Sequence, residues 1–326
     1  MLKAEYQHRG PQPQEVIEAV ALSLPELEAG QARIKVLAAP INPSDVLTLT
    51  GEYGLLPPLP AVGGNEGVGR VEALGADVSN LKVGQMVLLP VGCGTWVSHL
   101  NATANKLIPL PEADPQQLAM LTVNPPTASL LLSQFVDLKP GDWVIQNAAN
   151  SGVGSYLIQL AKLRGFKTIN VVRRESAVAG VEAEGGDVVL VDGPDLAKRV
   201  RAATGSASVR LGIDAVGGEA TDHLAASLCE GGVLVNYGMM SRQPCQVSPS
   251  SFVFRDVSLR GFWLAKWFQN ASQAEQMKVF GELVQLIASG KLQTRVAATY
   301  DLSEIKQAVA AAAGGERDGK ILIVPK

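Results

Sequence analysis

Between residues 118 and 265, the chain alternates short unbroken apolar runs with segments of helical periodicity. An unbroken apolar run predicts a strand that is buried on both faces of a parallel sheet, and the intervening segments predict the helices that cover those faces. Six such runs lie at 143–145, 168–172, 187–191, 209–214, 232–237 and 257–262. The pattern therefore predicts an α/β domain with a doubly wound parallel sheet.

The segments on either side of this domain have other patterns. Residues 1 to about 115 are rich in Gly, Pro and Val, with short strand-like runs broken by turns, which predicts an irregular all-β domain. After residue 266 come two amphipathic helices, at 273–289 and 302–312, and a last strand at 320–324. We expect this tail to fold back onto the first domain. The predicted sections are 1–117, 118–266 and 267–326.

The composition narrows the classes of function. With 326 residues, 47% of them hydrophobic and 18% charged, the chain is long enough for two cores. A net charge of -3, with no cluster of basic and aromatic residues, argues against a nucleic-acid surface. The apolar runs are far shorter than the roughly 18 residues of a membrane span, so we predict no membrane segment.

The N-terminal residues and the cysteines indicate the cellular compartment of the protein. The first residues carry an early acidic side chain, Glu5, and no apolar segment typical of a signal or transit peptide. The three cysteines are widely spaced and offer no disulfide framework, which is typical of a reducing compartment. We therefore expect a cytoplasmic protein.

The turn at 147–154 connects the first predicted strand to a helix over 155–163, and the second strand follows. This strand, turn, helix and strand form the βαβ unit of a Rossmann domain, in which a dinucleotide phosphate lies at the helix N-terminus. The three fingerprint glycine positions fall at Ala149, Ser151 and Gly154, so two of them are substituted. A glycine-containing turn with no ligand is the alternative. The predicted phosphate contacts are Asn150, Ser151, Gly152 and Val153.

The second strand ends in Arg173 and Arg174, at the position where NAD-preferring folds carry an acidic residue for the ribose 2′-hydroxyl. Arginine at this position favours a 2′-phosphate instead. The next residue, Glu175, would repel that phosphate, and a solvated loop charge is the alternative for both arginines. We predict NADPH as the cofactor.

Several longer motifs resemble those of one known family over essentially the whole chain. They are INPSD at 41–45, GEYGLLP at 51–57, PAVGGNEGVG at 60–69, VNP at 123–125, the 146–154 turn and GFWL at 261–264. They resemble the medium-chain dehydrogenase/reductase superfamily, and within it the zinc-independent 2-enoyl thioester reductases of the mitochondrial type. The resemblance implies a GroES-like irregular β-barrel catalytic domain beside the Rossmann domain. It also implies NADPH-dependent reduction of the C=C bond of an enoyl thioester of coenzyme A or acyl carrier protein.

Zinc-dependent members of the superfamily carry a histidine in G-H-E-G-x-G, and Asn65 stands at that position here. Their ligating cysteine is replaced within 41–45, and the four-cysteine lobe of the structural zinc is missing. The histidines, His8, His99 and His223, lie far apart in the sequence and at no ligand spacing. We predict no metal site and expect these histidines at the surface or its boundary.

By the same resemblance, Tyr53 is the proton donor for the α-carbon. A phenol with a pKa near about 10 stays protonated at neutral pH and can donate without tuning. The alternative for a single loop tyrosine is a packing or surface role.

Further cofactor contacts are implied by the resemblance, each with an alternative. Asn124 would contact the nicotinamide ribose or carboxamide, or else cap the following helix. Residues 237–240 end the fifth strand at the ligand-binding edge, although the two methionines are equally compatible with core packing. Trp263 would border the nicotinamide, or else be a core residue like Trp267. Lys320 would lie near a cofactor phosphate, or else be solvated. The full set adds Tyr237, Gly238, Met239, Met240, Phe262 and Leu264.

Two other functions remain open from the sequence. One is a zinc-independent NADPH quinone oxidoreductase, which has no need of Tyr53, and the other is a non-catalytic NADPH-binding protein. In each case we expect a homodimer in which the sixth strand, 257–262, pairs with its copy, because an exposed apolar edge strand invites aggregation.

Overall fold

The computed structural model describes residues 1–315 and 318–326, and the chain divides into two compact units. The first unit contains Met1–Val123 and Phe280–Lys326, and the second contains Asn124–Val279. No helix of the described residues is both long and apolar enough to cross a membrane.

Residues 1–123 of the first unit, all of them described, form eight strands, three α-helices and one short 3-10 helix at Ala104–Lys106. The strands are β1 (Leu2–Tyr6), β2 (Ile17–Ala21), β3 (Gln31–Ile41), β4 (Ala61–Val62), β5 (Val68–Leu74), β6 (Met86–Leu88), β7 (His99–Thr103) and β8 (Ile108–Pro109). The helices are α1 (Pro13–Val16), α2 (Pro43–Thr50) and α3 (Pro115–Leu118). Most of the strand pairings are antiparallel, as the turn-rich, alternating sequence predicts.

The second unit is a doubly wound α/β domain. Its strands are β9 (Trp143–Gln146), β10 (Lys167–Val172), β11 (Val188–Val191), β12 (Val209–Asp214), β13 (Val233–Asn236) and β14 (Ser258–Gly261). Its helices are α4 (Asn124–Leu131), α5 (Gly152–Leu163), α6 (Val178–Ala183), α7 (Leu196–Thr204), α8 (Glu219–Ser227), α9 (Pro249–Val253), α10 (Leu264–Asn270) and the first part of α11 (Gln273–Ala288).

The strand order is β11-β10-β9-β12-β13-β14, and every pairing is parallel. The order reverses at β9, so the carboxyl ends of β9 and β12 border the crevice in which doubly wound sheets bind ligands. The predicted parallel sheet is confirmed, and each of the six predicted runs ends within one residue of an observed strand end.

The C-terminal tail returns to the first unit, as expected. It contributes β15 (Val296–Tyr300), α12 (Ile305–Ala313) and β16 (Lys320–Ile323). β16 pairs in parallel with β15 and antiparallel with β3, which makes it part of a seven-stranded sheet in the order β15-β16-β3-β5-β6-β8, with β7 on β3. A second sheet has the order β2-β1-β4.

The limits of the compact units lie beyond the domain limits taken from the sequence. The sequence predicts domain boundaries after residues 117 and 266, whereas the boundaries between the compact units follow Val123 and Val279. The segment around α3 packs on β3 and β5 and so belongs to the first unit. The second limit falls inside α11, because a single continuous helix contributes residues to both units.

Candidate active site

The turn between β9 and α5 has the local structure of an anion-binding helix start. Ser151 is the N-cap of α5, and its hydroxyl accepts a hydrogen bond of 3.2 Å from the Gly154 amide. A Cβ on Gly154 would lie 2.4 Å from the Ala149 carbonyl oxygen, so only glycine permits this close approach of helix and turn. The helix begins three residues before the predicted start, because Ser151 rather than Gly154 caps it.

A buried carboxylate connects the ends of three neighbouring strands. Asp214, at the end of β12, is fully buried and accepts hydrogen bonds from Asn147 at 2.6 Å and from Asn236 at 2.9 Å. It also accepts the amides of Val216 and Gly217, at 2.9 and 3.1 Å. These bonds fix the loops at the carboxyl edge of β9, β12 and β13. The sequence analysis missed this network, although the strand-end position of all three side chains was a signal for it.

Tyr237 follows β13, and its hydroxyl lies near the Ser151 side chain, so two of the predicted cofactor residues are close together. Burial raises the pKa of Tyr237, so the phenol stays protonated. A Cβ on Gly238 would lie 2.7 Å from the Ala215 carbonyl oxygen, which favours glycine there. Met239 and Met240 are 49% and 52% exposed, so the alternative of core packing for them is wrong.

Arg173 and Arg174 directly follow β10 at the same edge of the sheet. Arg173 is exposed and Arg174 is half-buried, before a short 3-10 helix that begins at Glu175. Asn150 and Gly152 of the neighbouring turn are half-buried, and Val153 is buried. The exposed guanidinium of Arg173 is accessible to a ligand phosphate.

The other cofactor candidates of the second unit lie on α4 and after β14. Asn124 is buried and is the first residue of α4 rather than the residue before the helix. Phe262 donates its amide to the Asn236 carbonyl at 2.9 Å and packs edge-on against Phe135. Trp263 is 40% exposed, which rules out the alternative of a core residue, and Leu264 is half-buried at the start of α10.

Tyr53 belongs to the first unit. Residues 51–60, here called the Tyr53 loop, follow α2, which ends at Gly51 in the left-handed conformation with φ 86°. The Leu47 carbonyl accepts the amides of Glu52 at 2.9 Å and Tyr53 at 3.2 Å, which fixes the first residues of the loop onto the helix. The side chain of Tyr53 is half-buried.

A buried polar cluster lies at the start of α2. Its members are Asn42, Asp45, Asn65, Glu66, Thr122 and Lys320. Asp45 accepts the Asn42 amide at 2.7 Å and the Asn65 side chain at 2.8 Å. Glu66 accepts the Asn42 side chain at 2.7 Å and the hydroxyl of Thr122 at 2.8 Å. Burial raises the pKa of Asp45 to about 7 and also raises that of Glu66, and Lys320 opposes both shifts.

Lys320 lies inside this cluster. It is 4% exposed, and its ammonium donates to the Asn42 side chain and to the Ile41 carbonyl, the latter at 3.3 Å. The alternative of a solvated lysine is therefore wrong, and the contact of Lys320 with a cofactor phosphate stays a prediction.

The histidines lie where the sequence predicts, at the surface or its boundary. His8 is exposed, His99 is half-buried near Glu72, and His223 is half-buried with its Nδ1 2.8 Å from Asp192. Within residues 1–315 and 318–326, no group of three or more His, Cys, Asp or Glu side chains has an arrangement that would hold a metal ion.

The second unit fits a phosphorylated dinucleotide. The free amides of the capped α5 N-terminus favour a pyrophosphate, and the glycine contacts at 154 and 238 leave no room for a Cβ. The Arg173 guanidinium, directly after β10, supplies a cation for an additional phosphate. Tyr53 lies in the first unit, on a loop attached to α2.

Comparisons with known proteins agree with this geometry. Residues 152–282 match the family described as Zinc-binding dehydrogenase, and residues 28–112 match the Alcohol dehydrogenase GroES-like domain. A protein of Rattus norvegicus named Enoyl-(acyl-carrier-protein) reductase, mitochondrial, is 41% identical over 306 residues, which are 92% of this chain and 82% of that protein.

Three solved structures resemble the chain over 99% or more of its length. An NADPH:quinone reductase from Bacillus thuringiensis has a TM-score of 0.89 at 28% identity, with 99% of that chain covered. The Etr1p complex with NADP and crotonyl-CoA has a TM-score of 0.89 at 27% identity, with 99% of that chain covered. The mitochondrial 2-enoyl thioester reductase Etr1p/Etr2p heterodimer from Candida tropicalis has a TM-score of 0.88 at 27% identity, again with 99% covered.

Proposed function

The chain belongs to the family of the mitochondrial enoyl-(acyl-carrier-protein) reductases, within the medium-chain dehydrogenase/reductase superfamily, and from this membership we propose its reaction and its site residues. The protein is an NADPH-dependent oxidoreductase that reduces the C=C bond of 2-enoyl thioesters. The observation that carries this conclusion is the 41% identity over 92% of the chain to a protein named for that activity.

The cofactor residues of the second unit have separate tasks. Ser151 and the first amides of α5 bind the pyrophosphate, and the Tyr237 hydroxyl beside Ser151 places this turn near the end of β13. Arg173 reads the 2′-phosphate through charge-assisted hydrogen bonds, with Arg174 beside it. The remaining contacts are proposed for Asn124, Asn150, Gly152, Val153, Gly238, Met239, Met240, Phe262, Trp263 and Leu264.

The first unit supplies the proton. When bound, NADPH provides the hydride that adds to the β-carbon of the substrate. The electron pair of the C=C bond then becomes enolate charge on the thioester carbonyl, and the α-carbon must receive a proton. We assign that proton to the hydroxyl of Tyr53. The resulting phenolate recovers its proton from solvent, so the saturated thioester leaves with one hydride and one proton added.

The residue at position 65 bears on the need for a protic donor. The prediction of no metal site implies that no Lewis acid polarises the carbonyl, so that the enolate must be neutralised by a nearby protic donor. The position that carries a zinc-ligating histidine in zinc-dependent relatives holds Asn65, whose side chain is bonded to Asp45. The amides of Glu52 and Tyr53 on the Leu47 carbonyl support this role, because they fix the backbone from which the phenol projects.

A homodimer is proposed from the edge of the parallel sheet. β14 is the last strand in the sheet order, and Leu259 on it is 38% exposed. The preceding residues Val253 and Phe254 are 71% and 79% exposed, and large apolar side chains at this exposure mark an interaction surface. A second copy, related by a two-fold axis, would pair its β14 with the β14 of the first copy. This pairing would cover Phe254 of both copies. One related structure is a heterodimer, so the identity of the second subunit is part of the proposal.

Two finer points are also proposals. The substrate carrier is coenzyme A or acyl carrier protein, and the rates of reduction of the two thioesters would identify the preferred carrier.

A cytoplasmic location stays a prediction, because the rat relative is named as a mitochondrial enzyme. Fractionation of cells that express the protein under its own promoter would test it.

An NADPH quinone oxidoreductase is the second candidate, favoured by the likeness to the Bacillus thuringiensis protein. The two functions differ in their need for a proton donor to carbon. NADPH oxidation measured with crotonyl, hexenoyl and decenoyl thioesters, and separately with quinones, distinguishes them. We expect consumption of the enoyl thioesters. Consumption of quinone alone would favour the second candidate, and consumption of neither would favour a non-catalytic NADPH-binding protein.

A further inference from the structure

Arg9, which follows β1, contacts the Tyr53 loop on both sides of the tyrosine. Its guanidinium Nη2 donates a hydrogen bond to the Pro57 carbonyl. Its Cδ lies 3.4 Å from the position that a Cβ on Gly51 would occupy. The side chain of Arg9 therefore spans the segment from residue 51 to residue 57, which contains Tyr53.

The Tyr53 loop has little else to fix its second half. Residues 54–60 are exposed and contain no helix or strand, and Leu55, Leu56 and Leu59 are 61%, 38% and 38% exposed. Apolar burial thus contributes little to holding these residues. The amides on the Leu47 carbonyl hold the start of the loop, and the bond from Arg9 to Pro57 holds its middle.

Arg9 is itself attached to rigid parts of the first unit. Its guanidinium lies close enough to the hydroxyl of Tyr6, which is 2% exposed on β1, to oppose the increase in the pKa of that phenol that burial causes. The amide of Gly10, the next residue, donates to the Leu49 carbonyl of α2 at 3.1 Å. Arg9 therefore connects the loop to both β1 and α2.

We propose that Arg9 is a positioning residue for proton transfer, and that it holds the Tyr53 loop so that the phenol of Tyr53 meets the α-carbon of the substrate. The inference rests on the proposed function, because it requires Tyr53 to be the donor. It assigns to Arg9 no contact with substrate or cofactor.

The test compares Arg9→Met with a matched control, Arg33→Met. Arg33 is also half-buried in the first unit and also donates from Nη2 to a proline carbonyl, that of Pro25, at 2.9 Å. Methionine keeps the apolar stem and removes the guanidinium. Each variant is made in the wild-type and the Tyr53→Phe backgrounds, and kcat for NADPH-dependent reduction of crotonyl-CoA is measured.

We expect Arg9→Met to lower kcat at least about tenfold in the wild-type background and less than about twofold in the Tyr53→Phe background. The dissociation constant of NADPH should change less than about twofold. Arg33→Met should leave kcat in each background, and the dissociation constant of NADPH, close to the values of the parent enzyme. Hydrogen-deuterium exchange should rise in a peptide that covers 51–60 for Arg9→Met and stay unchanged for Arg33→Met.

Equal losses of kcat in both backgrounds would overturn the proposal, because they would mean that Arg9 acts on something other than Tyr53. A wild-type kcat for Arg9→Met would also overturn it. If Arg9→Met does not fold, Tyr6→Phe removes the hydroxyl that lies beside the Arg9 guanidinium and is judged by the same comparison of backgrounds. A wild-type enzyme that reduces no enoyl thioester would instead refute the proposed function.

Discussion

The side chain of Asn65 donates a hydrogen bond of 2.8 Å to Asp45. In zinc-dependent relatives the equivalent of Asn65 is a ligating histidine, whereas here the amide is a fixed member of a buried polar cluster. Asp45 also accepts the amide of Asn42, so its two carboxyl oxygens join the start of α2 to the segment that carries Asn65. The pair therefore serves the placement of α2, at whose end Tyr53 lies.

Asp45 should give the protein a characteristic dependence of stability on pH. Burial raises its pKa to about 7 in the folded state, while an unfolded aspartate has a pKa near about 3.9. Between these values the folded state holds a proton that the unfolded state has released, so the free energy of unfolding falls as pH rises. The difference in unfolding free energy between wild type and Asp45→Asn should fall by about 1 to 4 kcal/mol from pH 4 to pH 7.

Urea unfolding of both proteins at several pH values measures this difference. Asparagine does not titrate, so the comparison isolates Asp45 from the other acidic groups. A difference that stays constant, or that grows with pH, would show that Asp45 is ionised in the folded protein throughout this range.

Arg173→Ala should change the preference between cofactors. The variant loses the cation proposed to bind the 2′-phosphate, so NADPH binding should weaken by about 1 to 3 kcal/mol and NADH binding should hardly change. Arg201→Ala, an exposed arginine of α7, is the matched control and should alter neither. Fluorescence titration gives both dissociation constants, and equal losses for the two cofactors would mean that Arg173 does not read the 2′-phosphate.

Much of the fold is predictable from the sequence because continuous apolar runs depend on local composition. The apolar runs at β9 and β12 form strands that are buried on both faces. They can be recognised from the sequence without tertiary information. The turn at Ser151 is likewise local, since its capping bond to Gly154 spans three residues. Its role as a phosphate site rests on the same local pattern.

The contacts that the sequence analysis missed join residues far apart in the chain. Lys320 bonds Asn42 over 278 positions, and Arg9 bonds Pro57 over 48 positions. A lysine at the start of a strand is typically solvated, and only the pairing of β16 with β3 brings its ammonium into the buried cluster. For Met239 and Met240, core packing stayed open as an alternative, because a methionine after a buried strand has no local feature that marks it as exposed.

Phe254→Asp should disrupt the proposed dimer. A charge at the centre of a buried apolar contact costs far more in the dimer than in the monomer, where the side chain is exposed. The wild type should elute as a dimer at micromolar concentration, and Phe254→Asp should be largely monomeric. Met277→Asp, which replaces a methionine that is 67% exposed on α11, should remain dimeric.

Size-exclusion chromatography with light scattering measures all three masses. A monomeric wild type would refute the proposal that β14 pairs with its copy. A dimer that survives Phe254→Asp would place the interface elsewhere.

The central claim is that the hydroxyl of Tyr53 delivers the proton, and Tyr53→Phe tests it most directly because it removes one oxygen and keeps the ring. Folding and NADPH binding should survive, and Tyr300→Phe, a half-buried tyrosine of β15, serves as control. The measurement is kcat for NADPH-dependent reduction of crotonyl-CoA, with quinone reduction measured in parallel. We expect kcat for the enoyl thioester to fall about 10²- to 10⁴-fold, with quinone reduction and the Tyr300→Phe variant little changed. A Tyr53→Phe enzyme that reduces crotonyl-CoA at nearly the wild-type rate would contradict the account.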